Sequence, residues 1–234
     1  PIYGFGQSEL ELGKAIKNNR EKIKIISKSG VSWHETKRVN MTNDPETTLK
    51  MFEDSLRRLN TDYIDIYMIH WPDKKIDIRY PLEVLAKKQS EGKIQYIGLC
   101  NTHQDDLTAG REICEIKHLQ SEYNLFRNGF SLLNSDESQE IDSFKMGWGT
   151  FDKGILTNSV TRDRIFEKDD ARSWAPWWKK SNWKEKSDVI KELSDDLEID
   201  MTTYALHASL ESTELSLCGC KSVKQLETLS DVIK

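Results

Sequence analysis

The sequence predicts one α/β domain whose core is a parallel sheet covered by helices. Strand-like and helix-like segments alternate along the chain with short connections, a pattern that favours parallel strands joined by right-handed crossovers. The clearest strand covers residues 63–70, which are rich in Ile, Met and Tyr and suit a strand buried on both faces. Pro72 cannot continue a central strand, so this strand should end near His70.

No proline- or serine-rich linker divides the chain, so we predict a single domain over residues 1–234. Ser8 and Glu11 have capping-box spacing and should begin the first helix, and Thr102 and Asp105 should cap a later one. The other helices are predicted near residues 45–59, 81–92, 184–197, 202–210 and from 222 onward, with only a weak helical pattern at 128–141. The other strands are predicted near residues 22–28, 94–100, 118–124, 144–149 and 215–220.

Composition excludes several classes of protein. The net charge of −5 argues against broad nucleic-acid binding, which needs a basic surface. The sequence contains no apolar run of about 18 residues, so no membrane-spanning helix is predicted. Of the four cysteines, Cys100, Cys218 and Cys220 fall in apolar, strand-like runs, and Cys114 is the fourth. We therefore expect reduced core thiols in a cytoplasmic protein, and no metal site.

Polar and aromatic residues recur at the carboxyl ends of the predicted strands. In parallel α/β folds these ends meet at one rim, which is where sites are usually built. A single histidine there would more often be a hydrogen-bonded core residue, so His70 indicates a functional site only together with its neighbours. The residues at or near these ends are Lys28, His70, Asn101, Gln120, Trp148 and Gly219.

Tyr3, Lys28 and His70 are the candidate catalytic group, because together they suit the protonation of a carbonyl oxygen. A tyrosine with an ordinary pKa of about 10 is a poor acid at neutral pH. A nearby ammonium favours the phenolate, so we expect Lys28 to lower the pKa of Tyr3 and make it a better proton donor. His70 can hydrogen-bond a carbonyl oxygen and fix its orientation.

Short motifs that follow one another in order connect the chain to a known family. They are Tyr3-Gly4-x-Gly6-x-Ser8-Glu9, the Lys28 strand, Ser55-Leu56-x-x-Leu59-x-Thr61-Asp62-Tyr63-x-Asp65, His70-Trp71-Pro72-Asp73, Ile97-Gly98-x-x-Asn101, Gln120-x-x-Tyr123-Asn124, Gly154-x-Leu156-Thr157 and Gly219-x-Lys221. With them the chain resembles the aldo-keto reductases, of the bacterial general-stress-protein-like type, over nearly its whole length.

The resemblance implies a TIM (β/α)8 barrel that reduces an aldehyde, ketone or sugar carbonyl with NADP(H). Tyr3 matches the family's proton donor, Lys28 the lysine that lowers its pKa, and His70 the group that orients the carbonyl. The family's catalytic aspartate would precede Pro1. The first two strands of the barrel and its C-terminal segment also have no counterpart in this sequence.

The resemblance assigns cofactor contacts as well. Asn101 and Gln120 would hydrogen-bond the nicotinamide carboxamide, and Trp148 would stack on the nicotinamide ring. Backbone N–H groups from Gly154 to Leu156 would face the pyrophosphate.

The adenosine 2′-phosphate is expected at the N-terminus of the last helix, a position that suits anions. Lys221 stands where the family usually has arginine, so it offers a point charge rather than a bidentate fork. NADP(H) is therefore favoured over NAD(H) without being fixed. The residues assigned to this part of the cofactor are Gly219, Lys221, Ser222 and Gln225.

The substrate pocket is less well defined by the sequence. Trp33 and Trp71 are expected close to the mouth of the barrel, and we predict that they form pocket walls. The tryptophan cluster at residues 174–183 can be a lid over the substrate or packing against helices, and the sequence does not choose between them. A small-molecule carbonyl compound is the expected partner, whereas the oligomeric state stays open.

Two other functions are compatible with the same fold. One is a cofactor-binding regulatory subunit with little or no turnover, which would not need Tyr3, Lys28 and His70 together. The other is a non-redox isomerase or lyase. The absence of a metal-ligand pattern and the presence of Lys221-Ser222 both count against that alternative.

Overall fold

A computed structural model describes residues 2–36, 38–127, 142–157 and 159–232. The strands are β1 (Ile26–Ser29), β2 (Val31–Trp33), β3 (Val39–Met41), β4 (Ile64–Ile69), β5 (Ile94–Cys100), β6 (Ile116–Glu122), β7 (Phe144–Trp148) and β8 (Leu215–Leu217). The helices are α1 (Gln7–Ile16), α2 (Pro45–Leu59), α3 (Arg79–Ser90), α4 (Gln104–Arg111), α5 (Ala171–Trp174), α6 (Pro176–Lys179), α7 (Trp183–Leu197), α8 (Met201–Leu210) and α9 (Val223–Val232).

The chain forms two compact units. The first unit comprises Pro1–Ser121 and Phe130–Lys145, and the second comprises Glu122–Gly129 and Met146–Lys234. The single domain predicted from the sequence stays a prediction. The weak helical pattern at 128–141 lies outside the described residues.

The first unit is built on four parallel strands in the order β1-β4-β5-β6. All six residues of β4 are buried, as predicted for a strand covered on both faces, and the strand ends immediately before His70. The register sets Lys28 of β1 opposite Met68 of β4, which brings Lys28 near the carboxyl end of β4. The predicted order of strand and helix is therefore confirmed in this unit.

Helix α2 shows how the sequence fixes one of these elements. The Asp44 side chain accepts a hydrogen bond from the backbone N–H of Thr47 at 2.8 Å, and Pro45 occupies the first helical position. Phe52 and Leu59 are fully buried, and the edge of the Phe52 ring packs against Tyr67 of β4. Each such burial stabilises the fold by about 1.5–3 kcal/mol.

Two predicted helix starts are wrong by one or two residues. Helix α1 begins at Gln7 after Gly6, whose φ of 90° is in the left-handed region, so Ser8 lies within the first turn instead of capping it. Helix α4 is capped at His103, whose backbone N–H donates to the Asp106 carboxylate at 3.0 Å. Asn101 takes the left-handed conformation after β5, which delays the helix beyond Thr102.

The strand predictions need two corrections. β2 and β3 form an antiparallel hairpin that the sequence did not predict, because three-residue strands carry almost no periodicity. β8 ends at Leu217, so Cys218 is only partly buried and Cys220 is exposed, whereas both were predicted to be core thiols. All four cysteines are unpaired.

The second unit contains the parallel pair β7–β8 and a separate apolar cluster. Trp178 is buried in that cluster and stacks on Trp183 with ring centroids 5.3 Å apart. Trp174 and Trp177 are exposed instead. Trp178 and Trp183 are therefore packing residues, which decides the open question for half of the tryptophan cluster.

None of the helices in the described part of the chain is long and apolar enough to cross a lipid bilayer. The cytoplasmic location stays a prediction.

Candidate active site

Three predicted catalytic side chains come together in the first unit. The Tyr3 hydroxyl lies 3.4 Å from Nε2 of His70, and Nζ of Lys28 lies 5.5 Å from the centre of the Tyr3 ring. The Tyr3–His70 contact is longer than an ordinary O–H···N hydrogen bond, as is common in sites without substrate. A phenol, an imidazole and an ammonium therefore share one place in the fold.

Backbone contacts on both sides hold His70. Its N–H donates to the carbonyl oxygen of Ser29 at 2.9 Å, and its own carbonyl oxygen accepts from Nδ2 of Asn101 at 3.2 Å. The side chain is 8% exposed, and its Nδ1 has no hydrogen-bond partner among the described residues. Only the Nε2 edge of the ring faces Tyr3, which suits a group that orients an oxygen atom.

Burial shifts the pKa of all three groups. Burial and the nearby Lys28 ammonium lower the pKa of His70 to about 3, so the imidazole is neutral at physiological pH. Burial also lowers the pKa of Lys28, which is 5% exposed.

The predicted decrease in the pKa of Tyr3 is wrong for this structure, because burial raises that pKa. Lys28 faces the Tyr3 ring from 5.5 Å and makes no hydrogen bond to the hydroxyl, so loss of solvent outweighs its attraction for the phenolate.

A buried carboxylate next to this group was missed as a site feature. One oxygen of Glu9 accepts from the hydroxyl of Ser27 at 2.7 Å, and the other accepts from Nε of Arg58 at 2.7 Å. The Arg58 guanidinium lies 5.5 Å from the centre of the Trp33 ring. Glu9 shares its buried helix face with Ile16. A carboxylate on the apolar stripe of α1 was therefore the sequence feature that could have indicated this buried pair.

The structure also brings together the two amides predicted to bind nicotinamide. Nδ2 of Asn101 donates to Sγ of Cys100 at 3.2 Å, and that thiol donates to Oε1 of Gln120 at 3.5 Å. Burial raises the pKa of Cys100 to about 12, so the thiol keeps its proton. Cys100 therefore connects Asn101 and Gln120, a role that the sequence did not suggest.

The predicted pocket walls differ in their surroundings. Trp71 is 37% exposed, and its ring centre lies 6.3 Å from that of His70. Trp33 instead packs edge-on against Phe5, an exposed aromatic residue that the sequence analysis did not single out. A cavity of about 70 Å³ adjoins Tyr3 and Lys28, but neither tryptophan lines it. A larger depression of about 720 Å³ at the tip of the β2–β3 hairpin includes none of the predicted site residues.

The residues predicted to contact the pyrophosphate lie in the second unit, but their N–H groups are already used. Gly154 and Leu156 both donate to the carbonyl oxygen of Phe151, at 2.8 and 3.1 Å, and Ile155 donates to that of Asp152. These bonds close a tight turn with Gly154 at φ 98°. The expected open row of donors is therefore not present in this structure. Trp148, in the same unit, is partly buried at the end of β7.

The last helix begins as predicted. The backbone N–H of Gln225 donates to the hydroxyl of Ser222 at 3.3 Å, and Oε1 of Gln225 accepts from the backbone N–H of Lys221 at 2.7 Å. Gly219 and Lys221 are exposed, and Nζ of Lys221 lies 3.8 Å from the Asp170 carboxylate. Asp170 and its partner Arg172 were not singled out in the sequence.

A parallel β/α sheet with Lys28 and His70 at strand ends, and with Tyr3 of the segment before α1 beside them, is the arrangement expected of a β/α-barrel oxidoreductase. The chain belongs to the Aldo/keto reductase family, whose pattern it matches over residues 1–234. The resemblance and the TIM-barrel fold class inferred from the sequence motifs are thus confirmed.

Individual relatives agree with this assignment. The chain is 30% identical to the aldo-keto reductase YhdN of Bacillus subtilis, with 99% of this chain and 72% of the relative covered. It is 28% identical to the NADH-specific methylglyoxal reductase of Escherichia coli over 92% of this chain and 70% of that protein. Among solved structures, the glycerol dehydrogenase AKR11B4 of Gluconobacter oxydans superposes with a TM-score of 0.86 at 28% identity, covering all of this chain and 74% of that one.

Proposed function

We propose that this chain reduces the carbonyl group of a small aldehyde, ketone or sugar, with a nicotinamide dinucleotide as the source of hydride. The observation that carries the proposal is the meeting of the Tyr3 hydroxyl with Nε2 of His70 at 3.4 Å, beside the buried Lys28. The two relatives at 28% identity are named for methylglyoxal reduction and glycerol dehydrogenation, which supports small polar substrates.

Each side chain of the catalytic group has a distinct task. Tyr3 holds the proton, and its raised pKa keeps the hydroxyl protonated at neutral pH. Lys28 supplies the positive charge that stabilises the phenolate once that proton has moved to the carbonyl oxygen. His70 is neutral, so Nε2 can carry a hydrogen that orients the carbonyl oxygen toward Tyr3 without competing as an acid.

The residues of the first unit also suit the nicotinamide end of a cofactor. When bound, the cofactor supplies the hydride. The amides of Asn101 and Gln120, linked through Cys100, are proposed to hold its carboxamide, because amide groups pair well with one another. Asn101 also donates to the carbonyl oxygen of His70, so the carboxamide contact and the orienting histidine are tied to one side chain.

Residues of the second unit are also proposed to contact the cofactor. Lys221 and the hydroxyl of Ser222 at the start of α9 are proposed to contact the adenosine end, with Gln225 holding the turn. Trp148 is proposed to stack on the nicotinamide ring. Gly154 and Leu156 can serve the pyrophosphate only if their N–H groups exchange the bonds to Phe151, so we propose for them a neighbouring rather than a donor role.

Lys221 supports NADP(H) as cofactor, since an ammonium suits a 2′-phosphate. The relative from Escherichia coli is NADH-specific, so both nucleotides belong in any test.

The competing function is that of a cofactor-binding regulatory subunit without turnover. Purified full-length chain should be mixed with NADPH or NADH and a panel of small aldehydes, ketones and sugars, and the loss of cofactor absorbance followed. We expect turnover with at least one substrate. Cofactor binding, measured separately by tryptophan fluorescence, without any turnover would contradict the enzymatic proposal and favour the regulatory one.

A further inference from the structure

Asp170 is a fixed anion in the second unit, next to the proposed adenosine site. Its Oδ1 accepts from Nε of Arg172 at 3.0 Å, and its Oδ2 accepts from Nη2 of the same guanidinium at 2.6 Å. Oδ1 also accepts from the backbone N–H of Arg172 at 2.9 Å, which caps α5. The remaining Nη1 of Arg172 donates to the carbonyl oxygen of Lys153 at 2.9 Å. The carboxylate therefore cannot swing away without breaking this set of bonds.

The carboxylate of Asp170 forms an ion pair with Lys221. Oδ2 of Asp170 lies 3.8 Å from Nζ of Lys221, whose side chain is 81% exposed, whereas Asp170 is 17% exposed. Hydrogen bonds from Arg172 hold the pKa of Asp170 well below its usual range, so the carboxylate stays ionised. The cation proposed to receive a 2′-phosphate thus already has an anionic partner.

The guanidinium of Arg172 does not replace that cation. Its Nε and one N–H of Nη2 donate to Asp170 and one N–H of Nη1 donates to Lys153, so the Nε–Nη2 fork of the guanidinium is occupied and its charge is paired with Asp170. Its plane also lies over the Phe166 ring, 4.5 Å from the centre. A phosphate group next to Lys221 would meet a fixed carboxylate and a guanidinium that is already bonded.

We propose that Asp170 selects between the two nicotinamide cofactors, so that the chain binds NADH at least as tightly as NADPH. A 2′-phosphate on Lys221 would lie near a like charge, whereas a ribose 2′-hydroxyl can donate a hydrogen bond to the same carboxylate. The inference rests on the proposed function, since it assumes that the adenosine end of the cofactor lies at Lys221. It reverses the preference that Lys221 alone suggests.

The test compares the dissociation constants of NADH and NADPH for the full chain, measured by tryptophan fluorescence at low and high salt. Asp170→Asn removes the charge and keeps an oxygen that can cap α5. Asp200→Asn is the matched control, because Asp200 caps α8 in the same unit and makes no contact with Lys221 in the described part of the chain.

We expect Asp170→Asn to tighten NADPH binding about tenfold relative to NADH at low salt, with a smaller gain at high salt. Asp200→Asn should leave the ratio within about twofold of wild type. Asp170→Ser, which also retains a capping oxygen, should move the ratio in the same direction if the asparagine variant does not fold.

Two results would overturn the inference while leaving the proposed function intact. One is a wild-type chain that binds NADPH more than about twofold more tightly than NADH, and the other is an Asp170→Asn or Asp170→Ser ratio no different from the Asp200→Asn control. If neither nucleotide binds to the wild-type chain, the inference fails together with the proposed function.

Discussion

Arg58 donates a hydrogen bond of 2.7 Å to Glu9, a carboxylate that is 4% exposed and also accepts from Ser27. This pair joins α1, which begins at Gln7 after the short turn that contains Tyr3, to α2 and to the strand that carries Lys28. Arg58 also limits the turn before α1, because a Cβ atom at Gly6 would lie 3.0 Å from Cδ of Arg58. The ion pair therefore ties together the segments that carry two of the three catalytic side chains.

Glu9→Ala should destabilise the fold strongly, because it removes the 2.7 Å ion pair of the largely buried Arg58 and leaves that guanidinium, among the described carboxylates, with only a 3.9 Å contact to Asp54. We expect a loss of about 3 kcal/mol in the free energy of unfolding, measured by urea titration. Glu11→Ala is the control, because Glu11 lies on the same helix in an exposed pair with Lys14, and its replacement should change stability far less. Equal losses for the two variants would show that the Glu9–Arg58 pair does not organise this region.

His70 should make stability depend on pH. In the unfolded chain a histidine takes up a proton below about pH 6.5, whereas native His70 stays neutral down to about pH 3. The unfolded state therefore binds more protons in this window, so stability is lost as the pH falls and recovered as it rises. Between pH 7.5 and pH 5 this one group should cost about 2 kcal/mol.

The measurement is the free energy of unfolding at both pH values for wild type, His70→Gln and His207→Gln. The His70→Gln variant should lose less stability on acidification than wild type, by about 2 kcal/mol. His207 is exposed, and its replacement should leave the pH dependence nearly unchanged. A pH dependence that is the same in all three proteins would contradict the buried, neutral state of His70.

Lys28 should lower the stability of the fold while supporting turnover. Its ammonium is buried without an acidic partner in the described part of the chain, which costs free energy of folding. Lys28→Met should therefore raise the urea midpoint while lowering kcat by about a hundredfold or more, because no charge would stabilise the Tyr3 phenolate. Lys14→Met, at an exposed position, should change neither quantity appreciably. A variant that keeps its turnover would remove Lys28 from the mechanism.

Stability measurements should show which tryptophans of the cluster at residues 174–183 are packing residues. Trp178 is 1% exposed in the core of the second unit, and Trp174 is 58% exposed. Trp178→Ala should cost about 3–5 kcal/mol in stability, because it leaves a large cavity. Trp174→Ala should cost less than about 0.5 kcal/mol. Stability is measured by thermal or urea unfolding. Similar losses for both variants would mean that Trp178 is not the main packing residue of this core.

The sequence predicted best where a local pattern determines the structure. β4 could be predicted because its apolar run stops at Pro72, and α2 occupies the residues predicted for it, 45–59. The start of the last helix was predicted at residue 222, within one residue of its observed start, whereas the bond from the Lys221 N–H to Gln225 was not. Tyr3, Lys28 and His70 were linked by motif order and by the convergence of strand ends, and the structure brings them together.

Features that depend on distant partners were missed. Glu9 and Arg58 are 49 residues apart, and Asp170 acts through Lys221, so no local window contains either pair. The pKa of Tyr3 was predicted in the wrong direction because burial, which the sequence does not display, outweighs Lys28. The N–H groups of Gly154 and Leu156 donate to the carbonyl oxygen of Phe151 instead of remaining open. This depends on backbone geometry rather than on residue type, so the sequence did not predict it.

Tyr3→Phe tests the central claim most directly, because it removes one hydroxyl oxygen and leaves the ring in place. Tyr80→Phe is the control, since Tyr80 is an exposed tyrosine of α3 in the same unit. On a substrate that the wild-type chain reduces, kcat of Tyr3→Phe should fall by about a hundredfold or more, with the dissociation constant of the cofactor unchanged within about twofold. Turnover of Tyr3→Phe equal to that of Tyr80→Phe would contradict Tyr3 as the proton donor.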